Sequence, residues 1–589
     1  MTLLHRTLLL LSLAPLTLNA QEGDTVRLSD FGVRPYSYVN CVGQMQAAIE
    51  ECKRSGARVL SLDGGRYDIW PEGALRRTWF ISNTSTESEC PSKEKTVGLL
   101  FDGVRDLEID GGGATLMFHG KMTPIALEEC RGVTFKNLTV DFERPGGSEL
   151  TFERVNDGYA DVRVHPHTRY QIVDGRMHLY GEGWRSNLTH CNEYDPQSGR
   201  FRYSEGWNIL SRCRAEELGH GLVRFTLPDG FTPAEGHTLT VRDIIRDQVG
   251  WFILRSNDIT LESVNMRYMH GLGIVSQYSR NITMRGVRCE PDSASGRILA
   301  ASADMMHFSG CSGRVTIDDC RFVGSQDDPI NVHGTNLRVV GRSGDRTLRL
   351  RFMHGQSYGF DAFFKGDTIA YVRPSSMQRV DSACVESVVR LSDREVELTL
   401  DRDVPLSIEV GRDCVENLTC TPEVVIRNCF FTRTGTRGTL VTTPRKVLIE
   451  NNTYYKTGMS AILIAGDAFD WYESGPVTDV TIRGNRFVDC GYAGGPAGAV
   501  IALEPSNTIV DLSAPVHRGV RITGNTFVLT GPTLLYAKST GGLLFAGNTV
   551  ECAPSHTGDR MFVIKGCSDI DMSDNRIVRD DAGPVRRQR

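Results

Sequence analysis

A short β-forming motif returns ten times along this chain, and nothing else in the sequence restricts the fold as strongly. It reads VTFKNLTV (133–140), ITLESVNM (259–266), ITMRGVRC (282–289), VTIDDCRF (315–322) and VVIRNCFF (424–431) in the first two thirds. VLIENNTY (447–454), VTIRGNRF (480–487), VRITGNTF (520–527), LLFAGNTV (543–550) and IDMSDNRI (570–577) follow. Ile259 and Ile282 stand 23 positions apart, as do Ile426 and Ile449, and Ile522 and Phe545; gaps of 33 to 40 mark copies joined by longer loops. A unit this short cannot bury its own apolar side, so the copies must stack. Alternation over so few residues suits strands and not helical repeats. The expectation is an all-β chain built on a right-handed parallel β-helix, one repeat per coil, with strands of neighbouring coils about 4.8 Å apart. In the last five copies the stacking position is Asn452, Asn485, Asn525, Asn548 and Asn575, whose amides can hydrogen-bond from coil to coil.

Around this solenoid the chain divides into further parts. Residues 21–150 read as an N-terminal cap and first coils, because Gln44 to Lys53 places Met45, Ala48, Ile49 and Cys52 on one helical side before the strand-like RVLSL. A helix there would cover an end coil that otherwise exposes apolar interior and unpaired backbone. Residues 151–243 and 337–421 break the repeat with alternating strands joined by Gly and Asp turns. Each is expected to form a small antiparallel β-barrel inserted into a coil. Residues 244–336 and 422–578 are the remaining β-helix coils, and 579–589 form a charged, frayed tail.

Residues 1–20 have the pattern of a signal peptide: His5 and Arg6, an apolar run from Leu8 to Leu18, then small-residue Ala20. Export to the periplasm or the medium is expected, with no membrane span, since no later stretch is apolar for long enough. The net charge of −6 argues against nucleic acid and against polyanionic ligands. Of the 16 Cys, Cys130, Cys289, Cys320, Cys429 and Cys490 fall at or beside apolar repeat positions and read as small buried hydrophobes. Cys191 with Cys213 and Cys414 with Cys420 are the expected disulfides.

The chemistry concentrates in 302–334, where Asp304, Asp327, Asp328, His307 and His333 fall within one repeat and a half. Asp304 and Asp327 are 23 apart, which would stack them on adjacent coils. An Asp pair by itself more often caps a turn; a third carboxylate one period away and two imidazoles tip the balance toward a site. Like charges this close raise at least one pKa, and glycoside hydrolysis needs one protonated and one ionised carboxyl. Gln326 and Asn331 flank the pair and are candidates for binding sugar hydroxyls, with His307 and His333 beside them. Trp471 or Tyr472, in the loop from Asp467 to Glu473, is a candidate stacking platform; His270 and Gln277, one and two coils earlier, are weaker ones. No cofactor is expected and no metal ligand is assigned. A Ca²⁺-dependent uronate lyase would need Arg or Lys beside the cluster, and none is near in sequence except Arg314 and Arg321. A non-catalytic glycan-binding β-helix would need no such cluster.

Taken together, SNTSTESECPSK (82–93), FHGKM (118–122), VDFERP (140–145), ADMMHFSGC (303–311) and GSQDDPINVHG (324–334) resemble glycoside hydrolase family 110 along essentially the whole mature chain. The resemblance implies a β-helix with inserted β-barrels and an inverting exo-α-1,3-galactosidase. The implied substrates are glycans with terminal α-1,3-linked galactose, such as the blood group B antigen, with linear Galα1-3Gal the broader expectation. It also implies that Asp304 is the general acid and that Asp327 with Asp328 is the base pair activating water.

Overall fold

In the computed structural model the repeats stack as successive coils. The structure describes residues 24–579, apart from 187, 189, 204–208, 244, 496–497, 532 and 555–557; the signal peptide and nearly all of the charged tail lie outside the described residues. One long sheet is formed by the repeats themselves, all paired in parallel: Asn257–Met266 with Arg280–Arg285, then Ser312–Asp318, Glu423–Arg427, Lys446–Glu450, Asp479–Arg483, His517–Thr523 and Thr540–Ala546. A second parallel wall runs through Val249–Leu254, Leu272–Gln277, Met306–Ser309, Ile330–Gly344, Thr439–Val441, Ile462–Ile464 and Ala499–Leu503. The fold is a parallel β-helix. Among the described residues no helix is long and apolar enough to cross a membrane.

Two internal ladders hold the C-terminal coils in register. Asn525 Oδ1 accepts from the Asn485 backbone N–H at 2.9 Å and from Asn485 Nδ2 at 3.0 Å, and its own Nδ2 donates to the Ile482 carbonyl at 3.0 Å. The same pattern joins Asn452 to Asn485, Asn525 to Asn548 and Asn548 to Asn575. Each buried amide is therefore satisfied by the coil next to it. Beside it runs an aromatic stack that the sequence reading did not single out: Phe322, Phe431, Tyr454, Phe487 and Phe527, with planes within 12° of one another from ring to ring.

At the N-terminal end the helix Val42–Ser55 buries Val42, Met45, Ala48, Ile49 and Cys52, as the periodicity predicts. Gln46 adds a contact no pattern shows: its amide exchanges hydrogen bonds with the backbone N–H and C=O of Leu100, at 3.1 and 2.9 Å. The helix thus satisfies backbone at the open end of the solenoid as well as covering its apolar interior.

Both interruptions are antiparallel. The first holds a seven-stranded sheet, from Gly147–Asn156 through Thr238–Arg242, and a separate three-stranded one over a core of its own. The second closes into a ring of six strands: Ile330–Gly344, Thr347–Arg351, Glu395–Leu400, Gln378–Arg390, Thr368–Arg373, Cys414–Asn417 and back to Ile330–Gly344. One 15-residue strand, Ile330–Gly344, belongs to both bodies, lying in a β-helix coil at its start and in the barrel at its end. The expected disulfides are absent. Four extended residues, Cys414–Asn417, span about 10 Å and carry Cys414 into a cluster with Val372 and Tyr472, away from Cys420 near Asp367 and Cys311. Cys191 and Cys213 are thiols in the core of the first insert.

Replacing Asn525 by Ala orphans the buried Asn485 backbone N–H and removes one of the donors to the Ile482 carbonyl. A loss of about 1–3 kcal/mol per orphaned group is expected. Denaturant unfolding followed by fluorescence should show it.

Candidate active site

Asp304 lies two residues before the strand Met306–Ser309, and Asp328 two residues before Ile330–Gly344, with Asp327 one place earlier. The two strands pair in parallel with Met306 opposite Ile330. The local period is therefore 24 and not the 23 read from the repeats, so Asp304 stands beside Asp328, and the Met305 N–H donates to the Asp328 carbonyl at 3.0 Å. Asp327 is the neighbour one place off the stack. The three carboxyls nonetheless converge, with one oxygen of each within 4.8 Å of the other two.

Their environments differ. Asp304 is 5% exposed, and its carboxyl is pushed up to about 7 by burial first and by the charge of Asp327 second. Asp328 is 1% exposed; its Oδ2 takes a 2.7 Å bond from Arg437 Nη2 and its Oδ1 a 3.2 Å bond from the Arg437 backbone N–H. Burial pushes Asp328 well above the usual carboxylate range while Arg437 pulls against it. Burial also works against the Arg437 charge, but Asp328 foremost and then Asp327 and Asp304 more than restore it. Asp327 keeps a quarter of its side chain exposed (25%) and faces Arg246 Nη1 at 3.6 Å. One acid is thus sealed and proton-retaining, one is clamped, and one is open to solvent.

Several candidate residues come together with the aspartates. Asn331 Nδ2 lies 3.4 Å from Asp304 Oδ2, and Asn331 Oδ1 is buried with no hydrogen-bond partner among the described residues. Gln326 donates from Nε2 to the Thr240 carbonyl at 2.7 Å, which ties the first insert to the cluster, and its Oε1 is also buried with no partner among the described residues. Trp471 stays partly exposed against His354 of the second insert, ring centroids 4.1 Å apart, and His354 senses the charges of Glu473 and Arg246. Tyr472 turns inward, packing with Cys414 and Met377.

His307 and His333 are there too, but in another role than expected. They are 0% and 2% exposed, and their four ring nitrogens face one another, Asp304 and the Gly334 carbonyl, leaving none for a sugar hydroxyl. His270 is packed edge-on against Phe142 and Tyr268, with burial lowering it to about 3. Among the described residues no hydrogen bond ties it to the aspartates. Gln277 holds the 80–82 segment through the Ser82 N–H and the Phe80 carbonyl.

Four groups at or near the cluster escaped the sequence reading. Arg437 arrives from the coil after the second insert and Arg246 from the exit of the first. Glu473 is placed by antiparallel pairing of Glu473 with Thr335, and accepts from Asn83 Nδ2 at 2.7 Å. Asn83 and Glu473 both lie in stretches already singled out, but nothing in either stretch says that they meet. No spacing rule links the two arginines to the cluster.

Two family models match the chain: GLAA-B beta-barrel domain I over residues 148–239 and GLAA-B beta-barrel domain II over 347–415. An alpha-1,3-galactosidase A of Bacteroides fragilis is 63% identical over 553 residues, covering 93% of this chain and 91% of the relative. An alpha-1,3-galactosidase B of Bacteroides thetaiotaomicron is 36% identical, covering 95% of this chain and 92% of its own length. Among solved structures, an exopolygalacturonase from Thermotoga maritima aligns with a TM-score of 0.40 and 11% identity over 94% of this chain and 91% of that one.

The raised Asp304 carboxyl makes a signed prediction about stability. A folded-state value above the unfolded one means that the folded protein holds the extra proton, so this group's contribution is full below about pH 4 and is lost as pH rises toward about 7. Asp304→Asn should therefore melt higher than the wild type at about pH 8, with the gap closing toward about pH 4. Calorimetry at the two pH values checks it.

Proposed function

The chain belongs to glycoside hydrolase family 110, and from that membership we propose that it is an exo-acting, inverting α-1,3-galactosidase that removes terminal α-1,3-linked galactose from glycans. The observation that carries this reading is the asymmetry of the three carboxyls: a buried one that retains its proton toward neutral pH beside an open one that does not share its burial. Glycosidic cleavage asks for that division between acid and base.

In the proposed mechanism Asp304 protonates the glycosidic oxygen as the bond to the anomeric carbon breaks. Asp327, the open carboxylate, takes a proton from the attacking water, and Asp328, clamped by Arg437, holds that water's position. The side-chain oxygens of Asn331 and Gln326, without a partner among the described residues, accept from sugar hydroxyls, and Trp471 offers its face to the galactose ring. Blood group B glycans and linear Galα1-3Gal are the expected substrates, met outside the cytoplasm after export.

The test is release of galactose from Galα1-3Gal and from p-nitrophenyl α-galactoside, with EDTA and a polyuronate as further arms. Arg246 and Arg437 beside the cluster are also what a Ca²⁺-dependent uronate lyase would use, so activity lost in EDTA and restored by Ca²⁺, or unsaturated uronate products, would replace this reading. Asp304→Asn, Asp327→Asn and Asp328→Asn should each fold and each lose about 10²–10⁴-fold in kcat on Galα1-3Gal; near wild-type turnover would remove that residue from the catalytic set.

The stereochemical outcome is a separate prediction. Inverting enzymes hold their carboxyl groups about 6.5–9.5 Å apart and retaining ones about 5–5.5 Å. The nearest oxygens here lie within 4.8 Å, so the geometry by itself leans toward the shorter spacing, and the case for inversion rests on the family resemblance. The expected first product is β-galactose. Proton NMR before mutarotation reads it directly, and initial α-galactose would make one aspartate a nucleophile.

A further inference from the structure

Next to Asp304 runs a chain of buried groups that the two-carboxylate mechanism leaves unused. Asp304 Oδ2 lies 2.8 Å from His307 Nδ1, His307 Nε2 lies 3.0 Å from His333 Nε2, and His333 Nδ1 lies 2.7 Å from the Gly334 carbonyl oxygen. Glu473 Oε1 is 3.6 Å from His333 Nε2, and Asn331 Nδ2 bridges toward both ends, 3.4 Å from Asp304 Oδ2 and 3.5 Å from Glu473 Oε1.

Counting protons along this chain leaves few arrangements. A carbonyl oxygen carries no proton, so His333 Nδ1 must carry one. One proton fits between the two Nε2 atoms and one between His307 Nδ1 and Asp304 Oδ2. When both rings are neutral, His333 Nε2 is a lone pair and His307 donates to it from Nε2. His307 Nδ1 is then a lone pair as well, and the contact with Asp304 is attractive only if the Asp304 proton sits on Oδ2, aimed into the imidazoles. When the pair holds one proton more, on either ring, His307 Nδ1 carries hydrogen and donates to Oδ2. A protonated Asp304 must then carry its proton on Oδ1, which makes no hydrogen bond among the described residues.

We propose that His307, His333 and Glu473 are positioning residues: Glu473 lets the imidazole pair hold an extra proton, and that charged pair, donating from His307 Nδ1 to Oδ2, turns the transferable proton of Asp304 onto Oδ1. This rests on the reading of Asp304 as general acid. In the step itself the Oδ1 proton moves to the glycosidic oxygen as the bond to the anomeric carbon breaks, and the aglycone leaves as a neutral alcohol. Asp304 remains as a carboxylate, with Oδ2 accepting from His307 Nδ1–H and Asn331 Nδ2–H. The imidazole pair keeps its own proton, and a solvent proton restores Asp304.

Burial is the largest influence on His307 and lowers it to about 4; Arg246 acts the same way, and Glu473 foremost, then Asp327, act against it in favour of a charged pair. Burial lowers His333, and the Glu473 charge and the Gly334 carbonyl act to raise it. Burial works to raise Glu473, yet His333, His307, Asn83 and Arg437 hold it below the usual range. The donating arrangement therefore grows as pH falls.

The experiment compares wild type with Glu473→Gln on two substrates, Galα1-3Gal with its poor leaving group and 2,4-dinitrophenyl α-galactoside, whose leaving group needs no proton. The variant should lose about 10-fold or more in kcat on the disaccharide, a share of what a general acid supplies, and little on the aryl galactoside. Removing the anion disfavours the charged pair, so the decline of disaccharide activity with rising pH should begin at lower pH. Equal losses on both substrates, or an unmoved pH profile, overturn the proposal. Histidine-selective ¹⁵N NMR on the wild type reads the pair directly even if the variant fails to fold: both rings singly protonated throughout the active pH range also overturn it. Wild type that hydrolyses neither galactoside would instead sink the functional reading itself.

Discussion

The parallel pairing of Met306–Ser309 with Ile330–Gly344 is the contact on which the site depends. It stacks two chain segments that each begin with aspartate, and it does so inside a solenoid whose backbone is satisfied coil by coil. Like charges would drive such segments apart in water. Here the solenoid holds them, and burial first and the charge of Asp327 second leave Asp304 with a carboxyl that keeps its proton toward neutral pH. Acid strength at the site is thus a product of strand register, set by hydrogen bonds that involve no catalytic atom.

The same strand shows how the inserts join the chemistry. Ile330–Gly344 leaves the coil carrying Asn331 and His333, pairs with Glu473 across Thr335, and ends as a wall of the six-stranded barrel. The barrel is therefore an extension of the active-site strand, and the His354 side of the wall comes with it. The first insert is tied in by Gln326 to Thr240 and by Arg246 to Asp327. Segments from both inserts and from the Glu473 loop thus meet over one coil junction.

The fold was legible because its signal repeats: ten copies of one motif, with an Asn at the same place in five of them, leave few other ways to bury the apolar positions. The aspartate cluster was legible because its members lie within 25 positions of one another in sequence, from Asp304 to Asp328. The register was read one residue short, since a bulge between Ser312 and Val315 adds one residue to this coil, and only the pairing reveals it. Arg437 and Arg246 were invisible for another reason. They sit 109 positions after Asp328 and 81 before Asp327, and their place beside the cluster depends on where two inserted domains begin and end. The role of the histidines was misread because residue type alone does not say which way a ring faces.

In the long sheet, Val315 pairs with Val424, so a coil that closes over 23 residues elsewhere closes here over 109, around the second insert. By loop entropy this is a small burden, about 1 kcal/mol more than the short closure. In time it is a large one, because contacts between distant residues form slowly. While the protein is being made, Asp304, Asp327 and Asp328 leave the ribosome well before Arg437. Until the barrel has folded and handed the chain back, the growing protein carries a knot of acid whose main counter-charge has not yet been synthesised. The coil that carries the aspartates thus closes only after the second insert has folded, although its residues lie near the middle of the chain.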